Sequence, residues 1–373
     1  MRTKSIFISD IHMGDARSYE PPAPYGHPYY WLSEGRVRLL ANFLEEEILN
    51  ASDVKNLVIL GDLFDNWVCP VGLPPASFQE IINTNQNKEV IEKLKQIASH
   101  DEIELHYVPG NHDMTVEKDL IADNFPGIHF WWDQDQKYIG TYKSNGVVAE
   151  HGNRFNLFCA PNPGHPNNHW LPIGFFISRA AAEKKARHNS KTDPLDILDN
   201  FVHEFLDKPE FIKDLFTAIA KDCGLNENTP IKMNSIDNYT NDPTVKDVVN
   251  NYAGLPERWD SLQPAGLKSS SAISNQLSGL RLTGLNKYCP PNRIVIFGHT
   301  HKVMLIGMSK NSHFYTDDGN GCGYIYANSG TWVDGKKCTY IEVDPEGSRT
   351  SIRLYKYSDK GKKKRIKSRY IYT

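Results

Sequence analysis

Short apolar strands alternate with amphipathic helices in the N-terminal part of the chain, and this alternation limits the fold more than any other feature of the sequence. Compact apolar and β-branched runs predict strands at residues 4–9, 56–60, 103–108 and 146–149. Apolar residues at helical spacing predict intervening helices at residues 35–49 and 87–98. Such alternation is typical of a largely parallel sheet flanked by helices.

The alternation stops after residue 149 and resumes with an apolar strand at 293–297. The block between them contains a stretch rich in Pro, Asn and Gly, helical candidates and a Ser-rich stretch near 268–278. Its candidate helices are residues 174–188, 194–207, 209–222 and 244–253. Because this block is too long and too structured for a loop, we expect one discontinuous domain, residues 1–158 and 290–373, interrupted by a mainly helical insertion at 159–289.

The chain becomes strand-rich after the insertion. Apolar and β-branched segments separated by Gly, Asp and Asn turns lie at residues 302–308, 323–328, 338–343 and 350–357. A second sheet layer is therefore predicted. The basic run at 360–369 that follows is either a solvated edge strand or tail, which we favour, or a local contact for phosphate or nucleic acid.

The overall charge argues against a general nucleic-acid binder. The 373 residues include 42 Lys and Arg against 45 Asp and Glu, a formal net charge of −3. No strong overall field therefore attracts nucleic acid or an anionic membrane. We therefore expect no dedicated nucleic-acid binding.

Cysteine usage and hydropathy predict a cytoplasmic protein. The six cysteines are scattered and form no CxxC pair, which favours a reducing compartment. The apolar run at residues 5–9 is too short for the core of a signal peptide. We expect no membrane span, because no stretch of 18 apolar residues occurs. Peripheral contact with a membrane and the oligomeric state are left open.

Polar residues with metal-binding side chains follow the predicted strands. The five segments are Asp10-Ile11-His12, Gly61-Asp62, Gly110-Asn111-His112-Asp113, His151-Gly152 and Gly298-His299-Thr300-His301. Strand ends of an open α/β sheet normally build its ligand site. In extended backbone, residues i and i+2 point to the same side, so each Asp-x-His or His-x-His pair is expected to direct two ligands at a common site.

Together these segments resemble the calcineurin-like metallophosphoesterase superfamily, whose pattern is D-x-H, G-D, G-N-H-[DE], H and G-H-x-H in that order. The resemblance covers residues 4–153 and 293–332. It implies an α/β fold, a four-layer αββα sandwich, here with a mainly helical insertion.

The resemblance also implies a binuclear metal centre. One metal would be bound by Asp10, His12, Asp62 and His301, and the other by Asp62, Asn111, His151 and His299, with Asp62 bridging the two. These nitrogen and oxygen donors suit divalent Mn, Fe, Zn or Co, and we expect two divalent ions, Mn²⁺ or an Fe/Zn pair. Two cations about 3.5–4 Å apart lower the pKa of a shared water and hold phosphate oxygens during in-line attack.

The resemblance places two further residues beside the substrate. His112 would stabilise charge in the transition state or protonate the leaving oxygen, and Asp113 would orient His112. A structural alternative is that His112 only caps the following segment. The implied activity is metal-dependent hydrolysis of a phosphodiester, a pyrophosphate or a phosphomonoester, so the expected partner is a small phosphorylated substrate.

Two local features bear on the substrate. Protein Ser/Thr phosphatases of the superfamily have G-D-x-x-D-R-G, whereas Asn66 stands in place of the arginine here, which removes a bidentate phosphate clamp. The run 61–67 and the segment 327–332 instead resemble the bacterial branch that includes UDP-2,3-diacylglucosamine diphosphatase. The sequence departs from that branch at His112, where the branch has arginine, and in its much longer insertion.

The insertion supplies three candidate substrate contacts. His165 and His169 follow closely after His151, and Arg179 lies in a helix whose end is basic. The alternatives are solvated loop histidines and a cap helix with one solvated face. Three other functions are also open: a protein Ser/Thr phosphatase, a DNA phosphodiesterase, and a non-catalytic scaffold of the same fold.

Overall fold

The computed structural model describes residues 2–132, 140–162, 164–165, 169–190, 210–234, 236, 239–262, 287–289, 292–308 and 323–372. The predicted helix at 194–207 and the Ser-rich stretch near 268–278 lie outside these residues.

The strands agree with the predicted ones to within a few residues, and the chain adds short strands and a long C-terminal one. They are β1 (Lys4–Ile8), β2 (Val54–Leu60), β3 (Glu104–Val108), β4 (His129–Phe130), β5 (Tyr142–Ser144), β6 (Val147–Glu150), β7 (Ile294–Phe297), β8 (Met304–Met308), β9 (Tyr324–Asn328), β10 (Thr339–Glu346), β11 (Arg349–Tyr357) and β12 (Lys363–Tyr372).

The helices fall into a group beside the first sheet and a group in the central block. They are α1 (Ala16–Tyr19), α2 (Glu34–Phe43), α3 (Phe78–Ile82), α4 (Lys88–Ala98), α5 (Lys118–Asn124), α6 (Ile173–His188), α7 (Phe211–Asp222), α8 (Val245–Tyr252) and α9 (Leu255–Leu262). A π-helical turn, Leu44–Leu49, continues α2, so the predicted helix at 35–49 is one rod with a wider last turn.

Two mixed sheets form the scaffold. The first has the order β12-β11-β10-β1-β2-β3-β4, and the second has the order β5-β6-β7-β9-β8. Strands β1 to β4 are parallel, as predicted, whereas β10, β11 and β12 extend the sheet in antiparallel fashion. In the second sheet, β6, β7 and β9 are parallel.

Alternating side chains of β1 and β2 separate two cores. Phe7 and Val58 point into the core between the sheets, where they meet Ile296 of β7. Ile6 and Leu57 point to the opposite face, against the helices α2 and α4. This two-sided burial explains why the strands are almost continuously apolar. The four-layer α/β sandwich is thus the observed fold.

The central block has an apolar core of its own. Helices α6 to α9 pack around residues such as Phe176, Phe216 and Tyr252. Trp67, from the loop after β2, and Met114, from the loop after β3, belong to the same cluster. These two loops are the site loops. The helical character predicted for this block is confirmed for its described helices. The division into residues 1–158 and 290–373 around an insertion at 159–289 stays a prediction.

Three sequence expectations concern the surface and the thiols. The basic C-terminal run forms β12, at the outer edge of the seven-stranded sheet. Among the described residues, the five cysteines are all unpaired thiols. Within that same part of the chain, no helix combines the length and apolar character needed to cross a bilayer.

Candidate metal centre

The predicted metal ligands all follow the carboxyl ends of parallel strands. Asp10 and His12 come after β1, Asp62 after β2, Asn111 after β3, His151 after β6, and His299 and His301 after β7. All are buried except His301, which is partly exposed. The two sheets therefore deliver their strand ends to one buried cluster.

Much of this cluster is built on left-handed backbone. Positive φ angles occur at Asp10 (54°), His12 (59°), Asp62 (53°), His299 (67°) and His301 (54°). For an L-residue this conformation costs about 1–2 kcal/mol, and such strain concentrates at functional sites. The expectation of extended Asp-x-His and His-x-His segments is therefore wrong in its backbone geometry.

The first group of ligand atoms brings together Asp10, His12 and His301. Nε2 of His301 lies 3.2 Å from Oδ1 of Asp10 and 3.1 Å from Nε2 of His12. Oδ2 of Asp10 accepts hydrogen bonds from Ser9 Oγ and from the backbone N–H of His299. Oδ1 of Asp10 is buried without a hydrogen-bond partner, which is the state expected of a metal-binding oxygen.

The second group brings together Asp62, His151 and His299. Nδ1 of His151 lies 2.7 Å from the carbonyl oxygen of Leu60, so Nε2 is the nitrogen that faces the cluster. That Nε2 lies 3.0 Å from Oδ1 of Asn111 and 3.2 Å from Oδ2 of Asp62. Residues 299 and 301 thus contribute to different groups of one cluster, which is the division that the resemblance implies.

The carboxylate of Asp62 lies between the groups. Oδ1 accepts the backbone N–H of His112 at 2.8 Å. Oδ2 lies 3.2 Å from His151 Nε2 and 3.6 Å from His12 Nε2. One oxygen is therefore held by the protein while the other faces both histidine sets, as the bridging arrangement requires.

His299 fits a metal least readily as it stands. Oδ1 of Asn156 accepts the backbone N–H of Phe158, so the amide nitrogen of Asn156 points to Nε2 of His299 at 2.9 Å. A metal at Nε2 would replace this hydrogen bond. The other donors turn their oxygens or ring nitrogens toward one another within the cluster, and the set as a whole fits divalent cations.

The electrostatics of the cluster favour positive charge. Burial alone would lower the pKa of His151, but the charge of Asp62 raises it to about 10. Burial would raise the pKa of Asp62, but His151 and His112 hold it well below its ordinary value. Burial lowers the pKa of His299 to about 3, and the neighbouring His151 adds to the effect. Carboxylates in this cluster thus attract cations strongly.

Asp65 positions two of the histidines. Its Oδ2 lies 2.9 Å from Nδ1 of His12, and its Oδ1 lies 3.0 Å from Nδ1 of His112. Oδ1 also accepts the backbone N–H groups of Trp67 and Val68. Burial would raise the pKa of Asp65, but the charges of His112 and His12 outweigh it and lower that pKa. The carboxylate turns Nε2 of His12 toward the first group, as outer partners of metal-bound histidines do.

The role expected of Asp113 belongs to Asp65 instead. Oδ1 of Asp113 accepts the backbone N–H groups of Gly110 and Asp62, and Oδ2 accepts that of Leu63 and the hydroxyl of Tyr107. With its oxygens bonded in this way, Asp113 joins the two site loops rather than orienting His112. Adjacency in sequence does not reveal this, because neighbouring side chains here point in different directions.

A narrow cavity of about 30 Å³ opens above the cluster. Trp31 and Trp67 line it on either side of His112, with ring centroids 5.4 Å and 4.6 Å from the imidazole. Trp31 also meets the ring of His12 at 4.4 Å. Gly174, Ile177 and Ser178 of α6 complete the described wall. Helix α6 of the central block therefore lies over the candidate metal centre and faces the cavity.

The three expected substrate contacts lie elsewhere. Arg179 is fully buried and donates to the carbonyl oxygens of the 69–73 segment and of Lys232, so it ties the insertion to a site loop. His165 packs on Tyr252 and His169 stacks on Tyr239 inside the insertion. None of the three is among the described residues that line the cavity.

Sequence reasoning missed four residues that shape the site. Asp65 lies three residues after Asp62 in the same turn, a spacing that could have identified it. Trp31 ends a Tyr- and Pro-rich loop after β1, and the composition of that loop does not single out the indole. Trp67 ends the run 61–67 that resembles the bacterial branch, but that resemblance gave it no role, and Asn156 carried no signal that distinguishes it from ordinary buried residues.

One of the comparisons with known proteins identifies the family of this chain. The sequence matches the model of the calcineurin-like phosphoesterase family over residues 3–303. The chain belongs to this family. A search of curated protein sequences found no match.

Members of the family typically bind divalent metals, and the groups around Asp10 and Asp62 are able to hold them. Vacuolar protein sorting 29 from Cryptosporidium parvum is a similar solved structure, with 12% identity over 100% of this chain and 98% of that chain and a TM-score of 0.33. Wild-type Vps29 from Entamoeba histolytica, complexed with zinc, has 10% identity over 97% of this chain and 98% of that chain and a TM-score of 0.31. Purple acid phosphatase PPD1 from yellow lupin has 10% identity over 99% of this chain and 53% of that chain and a TM-score of 0.40.

Proposed function

We propose that this protein is a binuclear metal-dependent hydrolase of small phosphoesters or phosphoanhydrides. The observation that carries the proposal is the position of Asp62 Oδ2, which faces Nε2 of both His12 and His151 at 3.6 Å and 3.2 Å. Its other oxygen is held by a backbone N–H. Two divalent cations bound to this set, for which Mn²⁺ or Fe/Zn are the best candidates, supply an activated water and neutralise phosphoryl charge.

The protein groups have separate tasks in this reaction. Asp65 holds Nδ1 of His112, which leaves Nε2 to stabilise or protonate the leaving oxygen. Burial would lower the pKa of His112, but the charges of Asp65 and Asp62 raise it, so the ring is well suited to donate a proton. Trp31, Trp67 and the wall of α6 limit the solvent around the scissile bond.

A small, non-protein substrate is the preferred class. Asn66, which stands where protein phosphatases of the family have arginine, lines a different cleft from the one above the metal ligands. The phosphate clamp of those enzymes is therefore missing from this turn. The indoles and the apolar wall of the metal cavity favour a phosphodiester or pyrophosphate with a compact leaving group.

The test is hydrolysis of activated aryl phosphate mono- and diesters by protein loaded with Mn²⁺. Asp62→Asn and His112→Ala should each lose most of the turnover, at least about 100-fold. His100→Ala, which alters a histidine just beyond the end of α4, is the control and should retain activity. Turnover in both site variants equal to that of the wild type would exclude the proposed chemistry.

A panel of substrates then assigns the class. Nucleoside diphosphate sugars, dinucleotides, cyclic nucleotides and phosphopeptides should be compared by kcat/KM with the same metal. A preference for phosphopeptides would contradict the argument from Asn66. Cleavage of DNA that falls steeply with salt would instead assign a DNA phosphodiesterase.

A further inference from the structure

The C-terminal strand β12 combines basic and apolar side chains on an exposed sheet edge. Residues 359–366 are all exposed, and the run 360–369 is strongly basic. The apolar side chain of Ile366 is 49% exposed within this run, and that of Tyr372 is 57% exposed at the end of the strand. Few other large apolar side chains among the described residues are as exposed.

Ile366 is exposed because of an irregularity in the strand pairing. Leu354 of β11 pairs with Lys367, whereas the next residue, Tyr355, pairs with Arg365. Ile366 therefore has no partner across the ladder and forms a bulge. The bulge places an apolar side chain between two basic ones at the open edge of the sheet.

Most of the basic residues around the bulge form no ion pair with the described acidic residues. Lys363 forms an ion pair with Glu47. Within the described part of the chain, Lys360, Lys362, Lys364, Arg365 and Lys367 enter no salt bridge. Four of these side chains are exposed and that of Lys367 is partly exposed, so five positive charges lie within eight residues of sequence.

Protection of the sheet edge does not account for this composition. Lysines and a bulge on an edge strand discourage pairing with another strand. An exposed isoleucine at the centre of the bulge has the opposite effect, because it offers apolar surface. Nucleic acid would be attracted by the charges alone, but the isoleucine is not needed for contact with phosphates.

We propose that residues 360–367 of the β12 edge form a contact site for an anionic lipid bilayer. Basic side chains attract the negatively charged headgroups, while Ile366 enters the boundary between headgroups and acyl chains. β12 runs antiparallel to β11, and β11 is parallel to β1. The basic N-terminal end of β12 therefore lies on the same side of the sheet as the carboxyl end of β1, which Asp10 and His12 follow. Three strand spacings of about 4.8 Å separate β12 from β1, so the bilayer would lie beside the candidate site.

Vesicle sedimentation with the full chain tests this site and needs no enzymatic activity. Wild-type protein should bind vesicles of phosphatidylcholine mixed with phosphatidylglycerol and should not bind phosphatidylcholine alone. Each basic side chain near such a surface is worth about fivefold in affinity, so Lys364→Glu, Arg365→Glu and Lys367→Glu combined should weaken binding more than 100-fold. Lys55→Glu, Lys88→Glu and Lys95→Glu combined is the matched control and should bind within about fivefold of wild type, the worth of one such side chain.

Ile366→Ser distinguishes a bilayer from other polyanions. It should weaken vesicle binding several-fold, while thermal unfolding shows that each variant is folded. The proposal is overturned if wild-type protein ignores anionic vesicles, or if the charge-reversed strand binds them as well as wild type does. It is also overturned if Ile366→Ser has no effect on vesicle binding and duplex DNA binds the same lysines at low salt, since the site would then be one for nucleic acid.

Discussion

Nδ1 of His112 lies 3.0 Å from Oδ1 of Asp65, and this contact fixes which ring nitrogen of the histidine is available to a substrate. The same carboxylate holds His12 through its other oxygen. One side chain thereby sets the orientation of a candidate metal ligand and of the candidate proton donor.

Asp65→Asn should therefore lower kcat about 10- to 100-fold and weaken metal binding, because an amide cannot accept from both rings and from the backbone with the same strength. Steady-state kinetics at several Mn²⁺ concentrations measure both effects. The exposed change Asp359→Asn is the control. Unchanged kcat and metal affinity in Asp65→Asn would exclude the positioning role.

Asp113→Asn should act on stability before it acts on chemistry. The carboxylate accepts backbone N–H groups from both site loops, and an amide would turn an N–H toward one of them. The free energy of unfolding should fall by about 1–3 kcal/mol, measured by urea denaturation. Tyr107→Phe removes a single hydrogen bond to this carboxylate and should cost less. A stability equal to wild type would show that those hydrogen bonds do not join the loops.

Arg179→Ala should destabilise the protein severely. The guanidinium donates to carbonyl oxygens at Cys69, Pro70 and Leu73, and its removal leaves buried acceptors unpaired. We expect a loss of about 3 kcal/mol or more, measured by denaturant unfolding. Lys184→Ala, which breaks an exposed ion pair with Asp222, should cost no more than about 1 kcal/mol. A normally stable Arg179→Ala protein with a raised KM would instead restore the arginine as a substrate contact.

Binding of the proposed divalent cations should raise the melting temperature. A ligand that binds only the folded state and is present at 100 times its Kd contributes about 2.7 kcal/mol to stability. A cation here would also relieve the repulsion between the like charges of Asp10 and Asp62. Melting curves with Mn²⁺ and after chelation measure the effect. Asp62→Asn should lose most of the shift, because it alters the shared ligand. An identical shift in that variant would place the stabilising ion elsewhere.

His106 should make the protein less stable in acid. Trp131 Nε1 donates to Nδ1 of His106, and Nε2 lies 3.2 Å from Oδ1 of Asn56, so the neutral ring has both nitrogens paired. Burial lowers the pKa of His106 from 6.5 to about 4, with a smaller contribution from His129. The unfolded chain therefore takes up a proton first as pH falls. The stabilising contribution is complete above about pH 6.5 and is lost progressively as pH falls toward 4.

The shift corresponds to about 3 kcal/mol between the ends of that pH range. Urea unfolding of wild type and of His106→Gln at pH 7 and pH 4.5 isolates this contribution, because other titrating groups are common to both proteins. The variant should lose distinctly less stability between the two pH values. An equal loss in both proteins would remove His106 as the cause.

Much of the fold could be predicted because local patterns and packing agree in it. Strands such as β1 and β2 are buried on both faces, and their continuous apolar runs are visible in the sequence. Asp10, Asp62 and His299 follow such strands directly, and strand ends of neighbouring parallel strands must meet. The grouping of these side chains could therefore be predicted from the sequence.

The parts that could not be predicted depend on contacts between distant segments. The burial of Arg179 is decided by carbonyl oxygens more than 100 residues away in sequence, and its helix looks the same whether that face meets solvent or a loop. Trp31 approaches His12 only because its loop folds back over the site. The left-handed backbone at His12 and His301 gives no pattern in sequence, since it is imposed by the surrounding structure.

The position of β1 has a consequence for how the chain acquires its structure. β1 pairs with β2 on one side and with β10 on the other, so one neighbour follows it closely and the other comes near the end of the chain. During synthesis, one edge of this apolar strand stays open until residues 339–346 have emerged. The last candidate ligand, His301, emerges earlier. A shortened chain ending at residue 303 would thus contain every candidate ligand and still lack the strand that closes its central sheet.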